Sequence, residues 1–363
     1  MTVKSGGSPS AEERRPAGAS ELPFVSILMP VRNEASHLAG NLTAVLGQDY
    51  PPDRFEVIVA DGGSTDGTRE IVEALSREHP ALRCVDNPDR IVAAGLNRAL
   101  AAARGRVIVR LDGHCEYPRD YVRRVVALRE EWDAANAGGV LVPVGTSYVQ
   151  RSICAAYSSR LGIGGSALRA QDESGAAREV DAVHGGCWLR ETLARAGPFA
   201  EDMVRNQDDE MSFRLRGAGG RIVQAPSIRV RYFVRSRWSQ LFVQFAQYGY
   251  WKVRLVRKYP RQASVRHLMP AGLVLLFLAA AASVPFVPWG PLALGGLALT
   301  YAAGLLLAAF APARGSSLAL WPGIATALLM MQIGYGFGFW LGLVALTRRD
   351  SSRMDRWFSR LTR

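Results

Sequence analysis

At 363 residues and a formal net charge of +12, the chain is long enough to bury a sizeable core and basic enough to favour anionic partners. Its four scattered cysteines (Cys84, Cys115, Cys154 and Cys187) form no CxxC pair and read as reduced thiols rather than a disulfide framework. No zinc-finger or RNP-type signature accompanies the basic residues, which argues against nucleic acid as the partner.

Residues 1–22, rich in Ser, Gly, Ala and Pro and lacking an apolar run, read as a disordered segment and not a secretory signal. Next come four short β-branched runs, Phe24 to Pro30, Phe55 to Ala60, Leu82 to Val85 and Arg106 to Leu111. Each is followed by a helical stretch: Glu34 to Gln48, Asp66 to Arg77, Ile91 to Arg104 and Pro118 to Trp132. Strands alternating with helices of this length predict a mostly parallel α/β sheet, whose ligands bind beyond the carboxyl ends of the strands. Asp61 and Asp112, at two such ends, are therefore candidate site residues on position alone.

From 137 to 233 the pattern is less regular. Gly162 to Ala182 has the composition of a mobile loop, and Arg221 to Ala225 and Ile228 to Phe233 read as two short strands. Arg237 to Tyr259 places Trp238, Leu241, Phe242, Phe245, Tyr248 and Gly249 on one helical face, with Lys252, Arg254, Arg257 and Lys258 crowding its end. An aromatic face with a basic end suits a helix lying in a membrane interface, spanning 236–266 with its flanks. Three apolar segments follow within 267–347 (about 268–288, 291–312 and 318–347), each long enough on paper to cross a bilayer. Three crossings would put the ends on opposite sides. Yet the tail, 348–363, carries six arginines and belongs in the cytoplasm with the N-terminal domain by the positive-inside tendency. Either one segment is re-entrant or the tail breaks the rule.

Three acidic motifs stand out. Val57 to Thr68 runs from a strand into Asp61-Gly62-Gly63-Ser64-Thr65-Asp66, a tight loop ahead of a helix, and Met29-Pro30-Val31-Arg32-Asn33-Glu34 ends the first strand in a polar turn. Val109-Arg110-Leu111-Asp112-Gly113-His114 ends the fourth strand, and Asn206 to Leu215 opens a helix with Asp208, Asp209 and Glu210. His114, Cys115, His184 and Cys187 lack the spacing of zinc ligands. No Walker loop and no Gly-x-Gly-x-x-Gly is present, which argues against a nucleotide-driven transporter and a nicotinamide enzyme.

Together these motifs resemble family 2 glycosyltransferases of the α/β fold called GT-A, over about residues 24–260, and in particular the membrane enzymes of the succinoglycan and exopolysaccharide branch. The resemblance implies a GT-A domain over 23–235 with a mostly parallel mixed sheet, followed by transmembrane helices, in a multi-pass protein of the cytoplasmic membrane with its catalytic domain in the cytoplasm. It assigns donor binding to Pro30, Asn33, Glu34, Asp61, Gly63, Asp66 and Asp112. Asp112 and His114 stand where the family has Asp-x-Asp, and so would hold Mg²⁺ or Mn²⁺; Asp208 falls on the general base of an inverting transfer. His184, Gly185 and Gly186 match an acceptor loop, and Arg237 and Trp238 loosely echo Gln-x-x-Arg-Trp. Gly62, His114 and Gln207 depart from the family pattern, which leaves a catalytically silent nucleotide-sugar-binding scaffold as the alternative. The implied partners are a nucleotide diphosphate-sugar, a lipid-linked or membrane-proximal acceptor and the membrane, not nucleic acid.

Overall fold

Val25–Val31 (β1), Phe55–Asp61 (β2), Leu82–Asp86 (β3) and Val107–Arg110 (β4) pair in parallel in the order β3-β2-β1-β4. The computed structural model describes residues 22–159, 161–162, 175–262, 264–347 and 352–358; most of the expected 162–182 loop, the 1–22 segment apart from Leu22, and much of the basic tail lie outside them. The strands are apolar on both faces, as a sheet covered on both sides requires. Ile27, Met29, Val57, Val59, Val107 and Val109 pack on one side, with Ala35–Leu46 (α1) and Tyr121–Glu131 (α4). Leu28, Ile58 and Ile108 pack on the other, with Val92–Ala102 (α3), Arg190–Ala196 (α6) and Gln207–Gly217 (α7). Thr68–Glu78 (α2) links β2 to β3.

Beyond β4 the sheet becomes mixed. Gly186–Leu189 (β8) runs antiparallel to β4 and to Asn136–Val144 (β6); β6 is parallel to Ile222–Phe233 (β9), and Cys115–Glu116 (β5) and Arg178–Glu179 (β7) pair antiparallel with β9. The two strands expected at 221–225 and 228–233 are thus one. Its register against β6 shifts between Gly138 and Val140, and this bulge accommodates Pro226, which has no amide to donate to a regular ladder.

Tyr148–Tyr157 (α5) and Trp238–Lys258 (α8) form the floor of this domain, and three apolar helices lie below: Met269–Ser283 (α9), Gly290–Ser316 (α10) and Trp321–Thr347 (α11). The aromatic face of α8 assigned by sequence to a membrane interface is covered by protein instead. Gly334, Gly338 and Gly342 recur every fourth residue along α11, and a Cβ at each would strike the α8 carbonyl oxygens of Phe242, Ala246 and Tyr250. Such a small-residue seam lets two helix backbones approach closely. α9 is shorter than its sequence segment: Pro285 and Pro288 follow its end, and 15 residues make about 22 Å of helix against the roughly 30 Å of a hydrocarbon core. Only 290–316 and 318–347 are long enough to cross among the described residues. Ser352–Phe358 (α12) returns to α8, with the Phe358 ring stacked on Tyr250 at 4.0 Å and Asp355 accepting from Tyr250 and Arg254.

Candidate active site

β1 and β2 end side by side, with Val31 opposite Asp61, while β4 leaves the sheet earlier, Arg110 pairing with Leu28. β2 and β4 flank β1 on opposite sides, so the loops leaving β1 and β4 diverge and open a crevice at this switch point. A cleft of about 620 Å³ fills it, walled by Pro30 near the end of β1 and Glu34 after it, Arg110 and Asp112 at the end of β4, and Asp208 and Asp209 on α7.

Behind that wall two loops lock together by reciprocal bonds. Ser64 Oγ accepts the Asn33 amide at 2.9 Å and donates to Asp61 at 2.5 Å, and Asn33 Oδ1 accepts the Thr65 amide at 2.9 Å. Thr68 Oγ1 accepts the Glu34 amide at 2.8 Å and donates to Asp66 at 2.6 Å, while Asp66 also takes the amides of Ala35 and Thr68. Asn33 and Gly63 hold φ of +54° and +67°, the left-handed turn that brings the loops together. Asn33, Asp61, Gly63 and Asp66 therefore shape the loops and do not reach the cleft wall; Pro30, Glu34 and Gly62 do, with Asn87 and Arg90 beside them.

The centre is a buried charge cluster. Arg110, 3% exposed at the end of an otherwise apolar strand, sets Nε 3.0 Å from Asp112 Oδ1 and bonds through Nη1 to Asp208. Burial disfavours the charge on Asp112, but Arg110 and His184 outweigh it and hold this carboxyl well below the usual range. Asp208 goes the other way: desolvation raises its pKa against the pull of Arg110 and His184. Two carboxylates in one cleft are thus driven apart, one firmly ionised and one more basic, the division found where acid–base chemistry is done. Burial also works against a charged His184, and Asp112 overcomes it, raising the imidazole well above its ordinary value.

Gly185 and Gly186, at φ +65° and +137°, bring His184 over Asp112; a Cβ on Gly185 would lie 2.9 Å from the Arg110 carbonyl. His184 Nε2 sits 3.0 Å from Asp112 Oδ2, off the axis of a hydrogen bond. Cis donors on a cation with bonds of about 2.1 Å lie about 3.0 Å apart, so this pair fits a divalent ion that displaces the imidazole's extra proton and draws its other ligands from phosphate and water. Among the described residues no three His, Cys, Asp or Glu form a full cage. His114 lines the cleft, but its Nδ1 faces Glu34 Oε1 at 3.4 Å and its ring meets Tyr232 edge-on.

The three acids of α7 have separate partners. Asp208 bonds to Arg110 and Asp209 to Lys252 of α8, while the fully buried Glu210 holds Arg214, Lys258 and Tyr259. At the far end of the cleft Arg205, Arg229, Arg235, Tyr157, Tyr232 and Tyr248 line the wall, with Gln244 Nε2 donating to both Tyr232 and Tyr248 at 3.0 Å. Arg237 and Trp238 do not reach the cleft; Trp238 packs with α5 and α11, and Arg235 lies where Arg237 was expected. Sequence reasoning missed Arg110, Arg235 and the tyrosines. Only Arg110 left a signal, a lone charge closing the run Val107-Ile108-Val109.

Residues 26–166 match the family described as Glycosyl transferase family 2. Over 329 residues the chain is 33% identical to the succinoglycan biosynthesis protein ExoA of Rhizobium meliloti (strain 1021), covering 89% of this chain and 96% of that protein. It is 24% identical over 262 residues, 70% of this chain and 80% of the other, to the dolichyl N-acetyl-alpha-D-glucosaminyl phosphate 3-beta-D-2,3-diacetamido-2,3-dideoxy-beta-D-glucuronosyltransferase of Methanococcus voltae. Among solved structures it is similar to the mannosyltransferase PcManGT from Pyrobaculum calidifontis in complex with GDP-Man and Mn²⁺, with TM-score 0.55 and 25% identity over 87% of this chain and 88% of that one. With an α/β sheet ending in this cleft and a relative matched along nearly its whole length, the chain belongs to glycosyltransferase family 2 and has its GT-A fold.

Proposed function

We propose that the chain is an inverting glycosyltransferase that moves a sugar from a nucleotide diphosphate-sugar to the hydroxyl of a lipid-linked acceptor, at the cytoplasmic face of a membrane, in the synthesis of an exopolysaccharide or other cell-surface glycan. One observation carries it: Asp112 and Asp208, far apart in sequence, share Arg110 in a single cleft, one carboxylate firmly ionised and the other more basic.

The donor lies over the ends of β1, β2 and β4. Pro30 and Glu34 wall that half, and the loop held by Asn33, Asp61, Gly63 and Asp66 takes the nucleoside. Asp112, with His184 or His114, would hold a Mg²⁺ or Mn²⁺ that supplies positive charge to the departing diphosphate. Asp208 receives the acceptor's proton as the new C1–O bond forms and the bond from C1 to the phosphate oxygen breaks on the opposite face, which inverts the anomeric centre. Its raised pKa suits that duty, and Arg110 keeps its carboxylate aimed into the cleft. His184, Gly185 and Gly186 border the same space, where acceptor and diphosphate meet.

Membrane association is supported by α10, apolar all round, whose Leu292, Leu299 and Leu307 are 74–79% exposed. The relatives support a nucleotide-sugar donor, a metal and a lipid-linked acceptor: GDP-Man with Mn²⁺ for one, a dolichyl-linked sugar phosphate in the name of another. The test is to incubate the detergent-purified chain with a panel of nucleotide-sugars, with and without Mn²⁺, plus lipid-linked acceptors, and read the anomeric configuration of the product by NMR. Metal-dependent transfer with inversion is expected. Retained configuration, or no turnover of any donor, defeats the reading.

A further inference from the structure

The apolar helices are long enough for a multi-pass protein, but their placement forbids it. α11 touches the catalytic domain along its whole length. Near its start Gly323 donates its amide to Tyr148 of α5 at 3.1 Å and abuts Ser152; in its middle the glycine seam lies on α8; near its end Ala345 packs with Tyr250 and Trp251. A bilayer surrounding α11 would have to engulf α8 as well. The other side of α8 is polar, with Gln244 on Tyr232, Gln247 on Arg205 and Lys252 on Asp209. Charged side chains at the centre of a membrane are rare and costly even when paired, so the polar side of α8 disfavours a bilayer around it.

What remains to enter lipid is the hairpin of α9 and the first half of α10. From Tyr301, whose hydroxyl donates to Gln332 at 3.1 Å, one face of α10 packs against α5 and α11 through Leu305, Ala309 and Ala313, while Leu306, Leu307 and Phe310 on its other face stay exposed. α9 makes an arm of only about 22 Å, shorter than the roughly 30 Å of hydrocarbon, and its first turns are held to α11, where Trp340 Nε1 donates to the Ala271 carbonyl at 2.8 Å. Nothing charged lies between His267 and Arg314, and the tip is Val284-Pro285-Phe286-Val287-Pro288-Trp289, with Phe286 84% exposed.

The tip also satisfies most of its own amides. Pro285 and Pro288 have no amide hydrogen. Val284 donates to Ala281, Phe286 and Val287 to Ser283, and Gly290 to Val287. The hydroxyls of Ser283 and Thr300 donate back to Ala280 and Gly296, each at 2.8 Å. A turn emerging on the far side of a bilayer meets water and needs none of this closure; a turn left in hydrocarbon does. The tail agrees, because α12 docks on α8 beside Val204 of the catalytic domain.

We infer that α9 and the first half of α10 form a re-entrant hairpin that dips into the lipid and returns, so that the protein is monotopic, with catalytic domain and basic tail on the same membrane face. This rests on the membrane association proposed above, and it keeps α12 on the same face as the catalytic domain, as its packing on α8 requires. It also removes the conflict between three apolar segments and a positive tail.

The test is cysteine accessibility in the full chain, produced in a bacterial host with Cys84→Ser and Cys154→Ser; Cys115 and Cys187 are buried. Glu78→Cys reports the domain, Val287→Cys the tip and Trp357→Cys the tail. A membrane-impermeant maleimide is applied to spheroplasts and to inverted vesicles, and sugar transfer is assayed to confirm each variant is folded. Glu78→Cys and Trp357→Cys are expected to label only in inverted vesicles, and Val287→Cys in neither until detergent is added. Labelling of Val287→Cys in spheroplasts, or of Trp357→Cys on the face opposite Glu78→Cys, overturns the hairpin while leaving membrane association intact. Recovery of the parent chain in the supernatant after alkaline carbonate extraction defeats membrane association itself, and the hairpin with it.

Discussion

The two ends of the parallel sheet carry buried carboxylate–arginine clusters of similar make-up and opposite balance. At the amino end Glu56, 1% exposed, accepts from Ser26 Oγ and the Arg104 amide at 2.6 Å and from Arg83 at 2.7 Å, with Arg104 Nε at 3.2 Å. One carboxylate is surrounded by two guanidiniums, and a Cβ on Gly105 would strike Ser26, so nothing else fits. At the carboxyl end one guanidinium, Arg110, is divided between two carboxylates that line an open cleft. Residue type does not separate the two. What separates them is the space in front: the first cluster is saturated, and the two carboxylates of the second line an open cleft where, on the function proposed above, a cation and a proton would be taken.

The largest break in that contrast is Asp208→Asn. It removes the proposed proton acceptor but keeps the shape, so kcat should fall about 10³-fold, while thermal stability followed by tryptophan fluorescence changes by under about 1 kcal/mol. A parent-like kcat would show that another group takes the proton. Arg110→Met comes next. It leaves two buried carboxylates without their shared cation and should cost about 3–5 kcal/mol of stability. Because Arg110 holds the Asp208 pKa down, its loss should also move the acid limb of the pH–rate profile upward. Arg110→Lys restores the charge but not the fork that reaches both partners, so its limb should fall between the two. A limb unmoved in both variants would mean that Asp208 does not set it.

The fold was more legible in the sequence than this contrast. The period of the strands predicted the parallel half of the sheet, and strand-terminal position singled out Asp112, which lines the cleft, and Asp61, which is held in the loop behind it, because both depend on neighbours in the chain. The mixed half was harder: β8 is four residues long, and β9 hides a bulge at Pro226 that reads as a turn. Partnerships were not legible at all. Nothing local says that Asp209 pairs with Lys252, or that Asp66 is consumed by Thr68 and Ala35. The aromatic face of α8 reads equally as lipid-facing or helix-facing; only the glycines of α11, nearly a hundred residues on, decide it.

The smallest expected effect is the most discriminating. In Glu56→Gln the saturated cluster loses its charge, and charge-assisted bonds of this kind are worth about 1.5–3 kcal/mol together with their buried partners. Burial acts to raise the Glu56 pKa, but Ser26, the Arg104 amide and the two arginines bring it below 4.5. The ionised form therefore adds stability above the unfolded value, and that stability is lost as pH falls through the lowered folded one. The gap in stability between parent and variant should be constant near neutral pH and close below about 4.5, approaching zero in strong acid. Because the cluster lies at the end of the strands away from the cleft, kcat at pH 7 should stay within about twofold of the parent. A tenfold loss of kcat with folding intact would show that the two ends of the sheet are coupled, and that the division between a saturated cluster and a reactive one does not hold.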